Sequence, residues 1–357
     1  MNYLLIGGAG YIGSHVAEII NKTDNKVIIY DNLSSGSSDF IEQKSTFIQG
    51  DILDFDKLND VFSSNKIDVV IYLAGLIKVG ESVQKPLDYY QTNILGLVNT
   101  LKIMQIHNVN YFVFSSSAAV YGNNSRHNGF FYEDDPKEPC SPYGRTKYFG
   151  EEIIKDFAIA NPNFHYTFLR YFNVAGASKS KRIGYLTQNN NKPTHLIPAI
   201  SYFAFGLTDK FSIFGSDYNT NDGTCIRDYV YVCELAELHL LTAQKMVKEN
   251  RNLYYNIGSG KGFSNLEIIK EFERQLGYKL DIDIAQRRSG DPDILVASNT
   301  KLCQELNYEI KTNIKDIVES EIAFRKAHLK INKIRSFMNT LKAKNASVQL
   351  SRPHIPD

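Results

Sequence analysis

Residues 3–15 read YLLIGGAGYIGSH: an apolar run, then glycines at 7, 10 and 13, then a segment with helical spacing. The apolar run predicts a strand, and GxxGxxG after it predicts a tight turn into a helix. Glycine lets the backbone approach a pyrophosphate, and the helix N-terminus beyond offers free N–H groups and a partial positive charge. Alone, the spacing equally suits a turn that holds nothing. Asp31 supplies context, because it ends the second apolar run KVIIYD (26–31). A carboxylate about twenty residues beyond the loop can accept from both ribose hydroxyls. It would repel a 2′-phosphate, and no arginine follows in DNLSSGSS (31–38), so NAD is favoured over NADP. Asp51 ends the third run, TFIQGD (46–51), and is placed to meet the adenine amino group with Ile52 beneath the ring. Its alternative role is to cap the helix starting near Asp54.

The same texture continues outward. DVVIYLA (68–74), YFVFSSS (111–117) and YTFLRYFN (166–173) predict further strands, with helices over 84–107 and 142–160. Runs this continuous suit a parallel sheet buried on both faces. The alternation predicts an α/β, doubly wound, Rossmann-type fold with right-handed crossovers. After Ala175 comes a polar loop, SKSKRIGYLTQNNNKP (178–193), and shorter mixed elements follow. We expect an NAD-binding domain over 1–173 and a smaller substrate domain over 174–329. DYVYV (228–232) and LYYNIG (253–258) are candidates to return to the main sheet, and a helix over 313–327 closes the compact part. The tail 330–357 carries six Lys/Arg against Asp357 and reads as a frayed terminus, with an interaction segment as the alternative.

Composition narrows the class. The 357 residues carry a net charge of +1, so no global field attracts nucleic acid or an anionic membrane. Tryptophan is absent, but 22 tyrosines and 21 phenylalanines can supply an aromatic core. Cys140, Cys225, Cys233 and Cys303 form no CxxC pair and no zinc-like spacing, which predicts reduced, buried thiols and no metal. No run reaches the ~18 apolar residues of a membrane span, and the start is strand-like rather than a cleavable leader. A soluble cytoplasmic protein is the expectation.

The chemistry is concentrated in SPYGRTK (141–147), where Tyr143 and Lys147 stand four residues apart on one face of a predicted helix. A free tyrosine has a pKa near ~10 and is a poor base at neutral pH; an adjacent ammonium lowers it. That spacing is common in helices that catalyse nothing. Joined to a dinucleotide seat, it points to hydride chemistry with a tyrosine acid/base. Ser117, ending run 111–117, can reach a substrate oxygen beside Tyr143, whereas Ser115 and Ser116 read as strand hydrogen bonders.

GGAGYIGSH, DNLSSG, LAGLIKVGES, NILG, FSSSAAVYG, SPYGRTK, RYFNVAGA, DGTCIRDYVYV and RRSGD occur in an order that resembles the UDP-glucose 4-epimerase family of extended short-chain dehydrogenases/reductases, over roughly residues 1–329. The glycine loop and YxxxK specify only the superfamily; the other motifs are more selective. The resemblance implies tightly held NAD, reduced and reoxidised within one turnover as a UDP-hexose passes through a 4-keto intermediate. It implies that Tyr11, Ile12, Asp31, Asn32, Asp51, Ile52, Leu73, Ala74, Gly75 and Asn93 contact NAD, with Tyr143 and Lys147, and that Phe172 lies near the nicotinamide. For the UDP-sugar it implies Ser117, Tyr143 and Asn173, with Arg227 and Arg288 on the pyrophosphate and Asp291 on the uridine ribose. Ser212, Ile213 and Phe214 would meet the uracil edge through their backbone.

Related 4,6-dehydratases place an acid pair where this chain has Ala118 and Ala119, so dehydration has no agent. Three departures stand out. Ile77 replaces a lysine near the cofactor, with Lys78 displaced by one. His195 replaces an asparagine before Leu196 of the LxP segment and could still donate to a phosphate. Leu295 replaces a bulky tyrosine found in some members, which predicts room for an N-acetyl group and hence UDP-GlcNAc/UDP-GalNAc; ordinary packing is the alternative. The resemblance also implies a homodimer through helices 84–107 and 142–160, although Ile94, Val98 and Leu101 equally suit an intramolecular core. Competing readings are a uronate 4-epimerase or decarboxylase, and a catalytically silent NAD sensor. Intact Ser117, Tyr143 and Lys147 speak against the sensor.

Overall fold

The computed structural model describes residues 1–123, 125, 127–187, 192–287 and 291–329; Arg288 and the tail 330–357 lie outside the described residues. Seven parallel strands form the main sheet: β1 (Asn2–Ile6), β2 (Lys26–Asp31), β3 (Thr46–Gln49), β4 (Val69–Tyr72), β5 (Tyr111–Ser117), β6 (His165–Tyr171) and β7 (Leu253–Ile257). Their spatial order is β7-β6-β5-β4-β1-β2-β3. The order therefore reverses between β1 and β4, which opens a crevice at their carboxyl ends.

Alternate residues of each strand point to opposite faces. Tyr3 and Leu5 enter one core with Val16, Leu235 and Leu238. Leu4 and Ile6 enter another with Leu58, Leu101 and Ile154. Both faces are therefore covered by helices, which is why these strands are apolar throughout rather than alternating.

A second sheet joins Phe130–Phe131, Ile294–Ala297, Ile226–Tyr231 and Gly262–Ser264, with Asn173–Ala175 also paired to Ile226–Tyr231. The segment 228–232 thus does not return to the main sheet, contrary to expectation. The chain leaves β6 at Phe172, whose N–H donates to the Ile257 carbonyl at 3.0 Å. It then continues as Asn173–Ala175, which pairs with Tyr229–Tyr231 and captures that strand. The buried Asp228 carboxylate locks it further, accepting from the N–H groups of Ser259, Gly260 and Ala297. From Val232 a helix runs back over the main sheet, and 253–258 does return, as β7 beside β6. Residues 232–257 therefore pack with the first lobe.

The helix expected over 84–107 is divided into Val79–Gln84, Pro86–Tyr90, a wide π turn Gln91–Leu95 and Gly96–Ile106. Proline at 86 has no N–H to continue the preceding helix and begins a new one at its favoured first position. The helix Pro142–Ala160 has the expected bounds, with the Ser141 hydroxyl capping it by accepting from Gly144 N–H at 3.1 Å. A final helix spans 314–329. All four cysteines are free, but only Cys225 and Cys233 are buried; Cys140 is exposed and Cys303 half-buried, because they sit before a helix cap and on an outer helix. Among the described residues no helix is long and apolar enough to cross a membrane.

Candidate active site

The glycine turn forms where β1 ends against β4. Gly7 has φ +84°, and a Cβ on it would lie 2.6 Å from the Ala74 nitrogen. No side chain fits there, so Leu73 and Ala74 approach the turn backbone to backbone, while Gly75 lies beside the Asn93 side chain. At Gly13 a Cβ would stand 2.3 Å from the Gly7 carbonyl oxygen, so the turn closes tightly on the helix Tyr11–Ile20. Ile12 packs onto the core beneath, and Gly10 caps the helix.

Asp31 ends β2 facing this turn. Its carboxylate accepts from Leu33 N–H at 2.7 Å and Ala9 N–H at 3.0 Å. Burial pushes its pKa up, while those N–H groups and that of Gly10 pull it back. The fixed carboxylate has lone pairs to spare for a ribose. Asp51 accepts from Leu53 N–H and, at 2.8 Å, from the Asn32 amide; Asp54 rather than Asp51 caps the helix Phe55–Ser64. Ile52 is buried against Gly96. Asn93 accepts from Leu76 N–H and donates to the Leu76 carbonyl and to Thr146 Oγ1, so it ties the β4 loop to the helix carrying Tyr143. Lys78 faces Glu81 at 3.9 Å on the surface, and Ile77 is half exposed.

Ser117 ends β5 beside Tyr143, and Lys147 reaches the same strand two residues earlier, at Ser115. Tyr143 is buried, and the Ser117 hydroxyl lies near enough to its phenol to pull its pKa down. The Ser117 oxygen also accepts from Ala119 N–H at 3.2 Å, which leaves its proton directed elsewhere. The expected lowering of the tyrosine by lysine is not observed in this geometry. Burial raises the Tyr143 pKa, and the Ser117 hydroxyl opposes it. Lys147 instead donates Nζ to the Ser115 carbonyl at 2.8 Å and stands 5.0 Å from the Phe114 ring centre. Burial pushes Lys147 down from 10.5 to about 8, with Glu151 opposing.

This shift has a stability consequence. Between about 8 and 10.5 the unfolded chain holds a proton on Lys147 that the native protein has lost. Stability should therefore rise with pH across that window through this group, its burial penalty being fully felt below it. Urea unfolding of wild type and Lys147→Met at several pH values should show the difference between them changing in the wild type's favour from pH 8 to 10.5. A pH-independent difference would contradict it.

The second lobe brings other candidates together. Arg227 Nη2 donates to Asp291 Oδ1 at 2.8 Å, and Tyr218 donates to Oδ2 at 3.2 Å. Asn173 donates to the Asp228 carbonyl at 3.1 Å. Leu295 lies beside Arg227 across the sheet and packs against the cluster that contains Ala118 and Phe172. His195 caps the helix Leu196–Ala204, and burial lowers its pKa. Ser212–Phe214 pairs one edge with Asp283–Ala285.

Several contributors escaped the sequence reading. Ser116 donates to Glu151, and Glu151 holds Arg170 through Nε at 2.8 Å and Nη2 at 2.6 Å. Arg170 Nη1 reaches the Tyr121 hydroxyl and the Glu133 carbonyl. This buried network underpins the helix that carries Tyr143 and Lys147. Glu151 follows Lys147 by one helical turn, a spacing that could have revealed it. Arg287 fixes the Asp291 loop through the Asp291 carbonyl and Asp293, and only its place beside Arg288 hinted at that.

Fold and site together define a dinucleotide-dependent enzyme of the Rossmann class. The model of the NAD dependent epimerase/dehydratase family matches residues 3–258. The chain belongs to that family. It is 41% identical over 331 residues to the UDP-glucose 4-epimerase of Lactobacillus helveticus, covering 92% of this chain and 98% of that protein. A UDP-glucose-4-epimerase of Stenotrophomonas maltophila, solved with bound NAD and formylated UDP-arabinopyranose, matches with a TM-score of 0.88 at 35% identity, covering 93% of this chain and 99% of that one. The UDP-Glc/GlcNAc 4-epimerase of Campylobacter jejuni matches with a TM-score of 0.78 at 38% identity, over 91% and 99% of the two chains.

Proposed function

We propose that this protein interconverts the C4 epimers of a UDP-hexose, UDP-glucose and UDP-galactose, through a 4-keto intermediate with tightly bound NAD. The observation that carries the reading is the buried Tyr143–Ser117 pair beside a dinucleotide seat, with Ala118 and Ala119 next to it instead of carboxylates. The turn at Gly7, the Asp31 carboxylate and the backbone of 73–75 fit the dinucleotide, which when bound supplies reversible hydride acceptance at C4.

The chain's own residues move the proton and hold the sugar. Tyr143 takes the C4 hydroxyl proton, and Ser117 holds that oxygen at hydrogen-bond distance. Lys147, one turn along the same helix and anchored on the Ser115 carbonyl, supplies the pocket's cation. Deprotonating a buried phenol is costly, so the positive charges brought into this pocket decide when Tyr143 can act as base. Arg227 and Arg288 clamp the diphosphate, which two guanidiniums can grip with parallel hydrogen bonds. Asp291 then trades its ion pair with Arg227 for the uridine ribose. Without a carboxylate beside the sugar, C5 keeps its proton and no water is expelled.

Incubating the purified protein with UDP-galactose and no added NAD tests this: UDP-glucose should accumulate to equilibrium, and its absence sinks the reading. Leucine at 295 is smaller than the tyrosine of some family members and should leave room for a C2 substituent, so UDP-GlcNAc should also turn over. Leu295→Tyr should lower kcat/KM for the acetylated pair roughly tenfold or more, as expected for a steric change in a pocket, and spare UDP-galactose. Equal losses on both sugars would reject the assignment.

The protein works in the cytoplasm as a homodimer. Leu87, Leu95 and Phe149 are exposed, and Ile94, Val98 and Ile153 line the adjoining groove between the two helical segments. Leu101, also weighed for the interface, is buried core. Sedimentation should give twice the chain mass, and Leu95→Asp should give monomers; a monomeric wild type would refute the dimer.

A further inference from the structure

Four rings form an edge-to-face column from the dinucleotide helix to the second lobe. His15 and Tyr11 lie 5.3 Å apart at 82°, Tyr11 and Tyr185 5.6 Å at 75°, and Tyr185 and His195 5.7 Å at 66°. Such contacts fix the tilt of each ring against its neighbours. Tyr185 is the rung that joins the lobes. Thr194, immediately before His195, lies near enough to its phenol to pull its pKa down. Its carbonyl accepts from Arg325 Nη2 at 3.0 Å. Buried Arg325 also donates to Ser201 Oγ at 3.2 Å and to Glu321 at 2.8 Å, and stacks on Tyr202 at 4.2 Å. Ser201 and Tyr202 belong to the helix that His195 caps. One guanidinium therefore fixes Tyr185 and that helix together.

We propose that Tyr185 is a positioning residue for the substrate diphosphate: it sets the His195 ring, braced through Tyr11 on the dinucleotide helix, at the angle needed to donate to a phosphate oxygen. This deepens the reading above and rests on His195 as a phosphate contact. The physical reason lies in the imidazole itself. Its burial favours the neutral ring, which has one N–H to offer and no long-range charge attraction, so its worth depends on orientation. The ring Nδ1 also lies 3.5 Å from Thr194 Oγ1.

A double-mutant cycle read by calorimetric titration with UDP tests this, using the protein with its dinucleotide as purified. His195→Ala and Tyr185→Leu should each weaken UDP binding roughly tenfold, the scale of a hydrogen bond to a charged group. In the His195→Ala background, Tyr185→Leu should cost less than about twofold, because two residues acting through one contact are not additive. Tyr185→Phe keeps the column and loses only the hydroxyl, so it should weaken binding less than Tyr185→Leu does; it also keeps the cycle informative if the leucine variant folds poorly. Equal losses from Tyr185→Leu in both backgrounds, or unchanged affinity in either single variant, would overturn the proposal. UDP binding is read without turnover, so a wrong assignment of the reaction would leave this result standing.

Discussion

Tyr143→Phe should lower kcat for UDP-galactose by about 10²–10⁴-fold, the range for loss of a positioned general acid/base, while the dinucleotide content of the purified protein stays unchanged. Phenylalanine fills the same buried space, so folding is preserved and only the exchangeable proton is lost. Coupled-assay rates together with dinucleotide released on acid treatment check both halves. Turnover within tenfold of wild type would remove Tyr143 from the proposed role.

The second large effect concerns folding. Glu151 and Arg170 are both buried and share two hydrogen bonds, and Ser116 adds a third to the carboxylate. Glu151→Ala would leave a guanidinium without its counter-charge in the core. Breaking one side of such a pair costs about 3–5 kcal/mol, which is a large share of a domain's stability. Urea unfolding should show a loss on that scale, and one below about 1 kcal/mol would place the pair with weak surface bridges. Activity should fall as well, because Glu151 is the charge that favours protonated Lys147. Replacing both partners by apolar residues should recover part of the stability but not the activity.

Local patterns carried the sequence reading far. The glycine turn, the acid ending β2, the YxxxK helix and most strands are written in contiguous residues whose period or chemistry is distinctive. What was not legible is non-local. DYVYV looks like any core strand, and only the bend at Phe172 and the Asp228 locks assign it to the second sheet. The direction of Lys147 depends on the Ser115 carbonyl, set by a different strand. Arg227 and Asp291 were each legible as ligand contacts, but not as each other's partner across 64 residues. Pro86 was visible and should have divided the helix that contains it. Arg170 reads as a strand residue until the fold brings Glu151 to it.

The account stands on Tyr143 acting as base toward the C4 hydroxyl of a UDP-hexose that loses no water. Following UDP-galactose by proton NMR with the purified protein and no added nucleotide tests it most directly. The prediction is UDP-glucose alone, approached to equilibrium. A 6-deoxy-4-keto product, or no change in a sample shown to contain bound NAD, would contradict it.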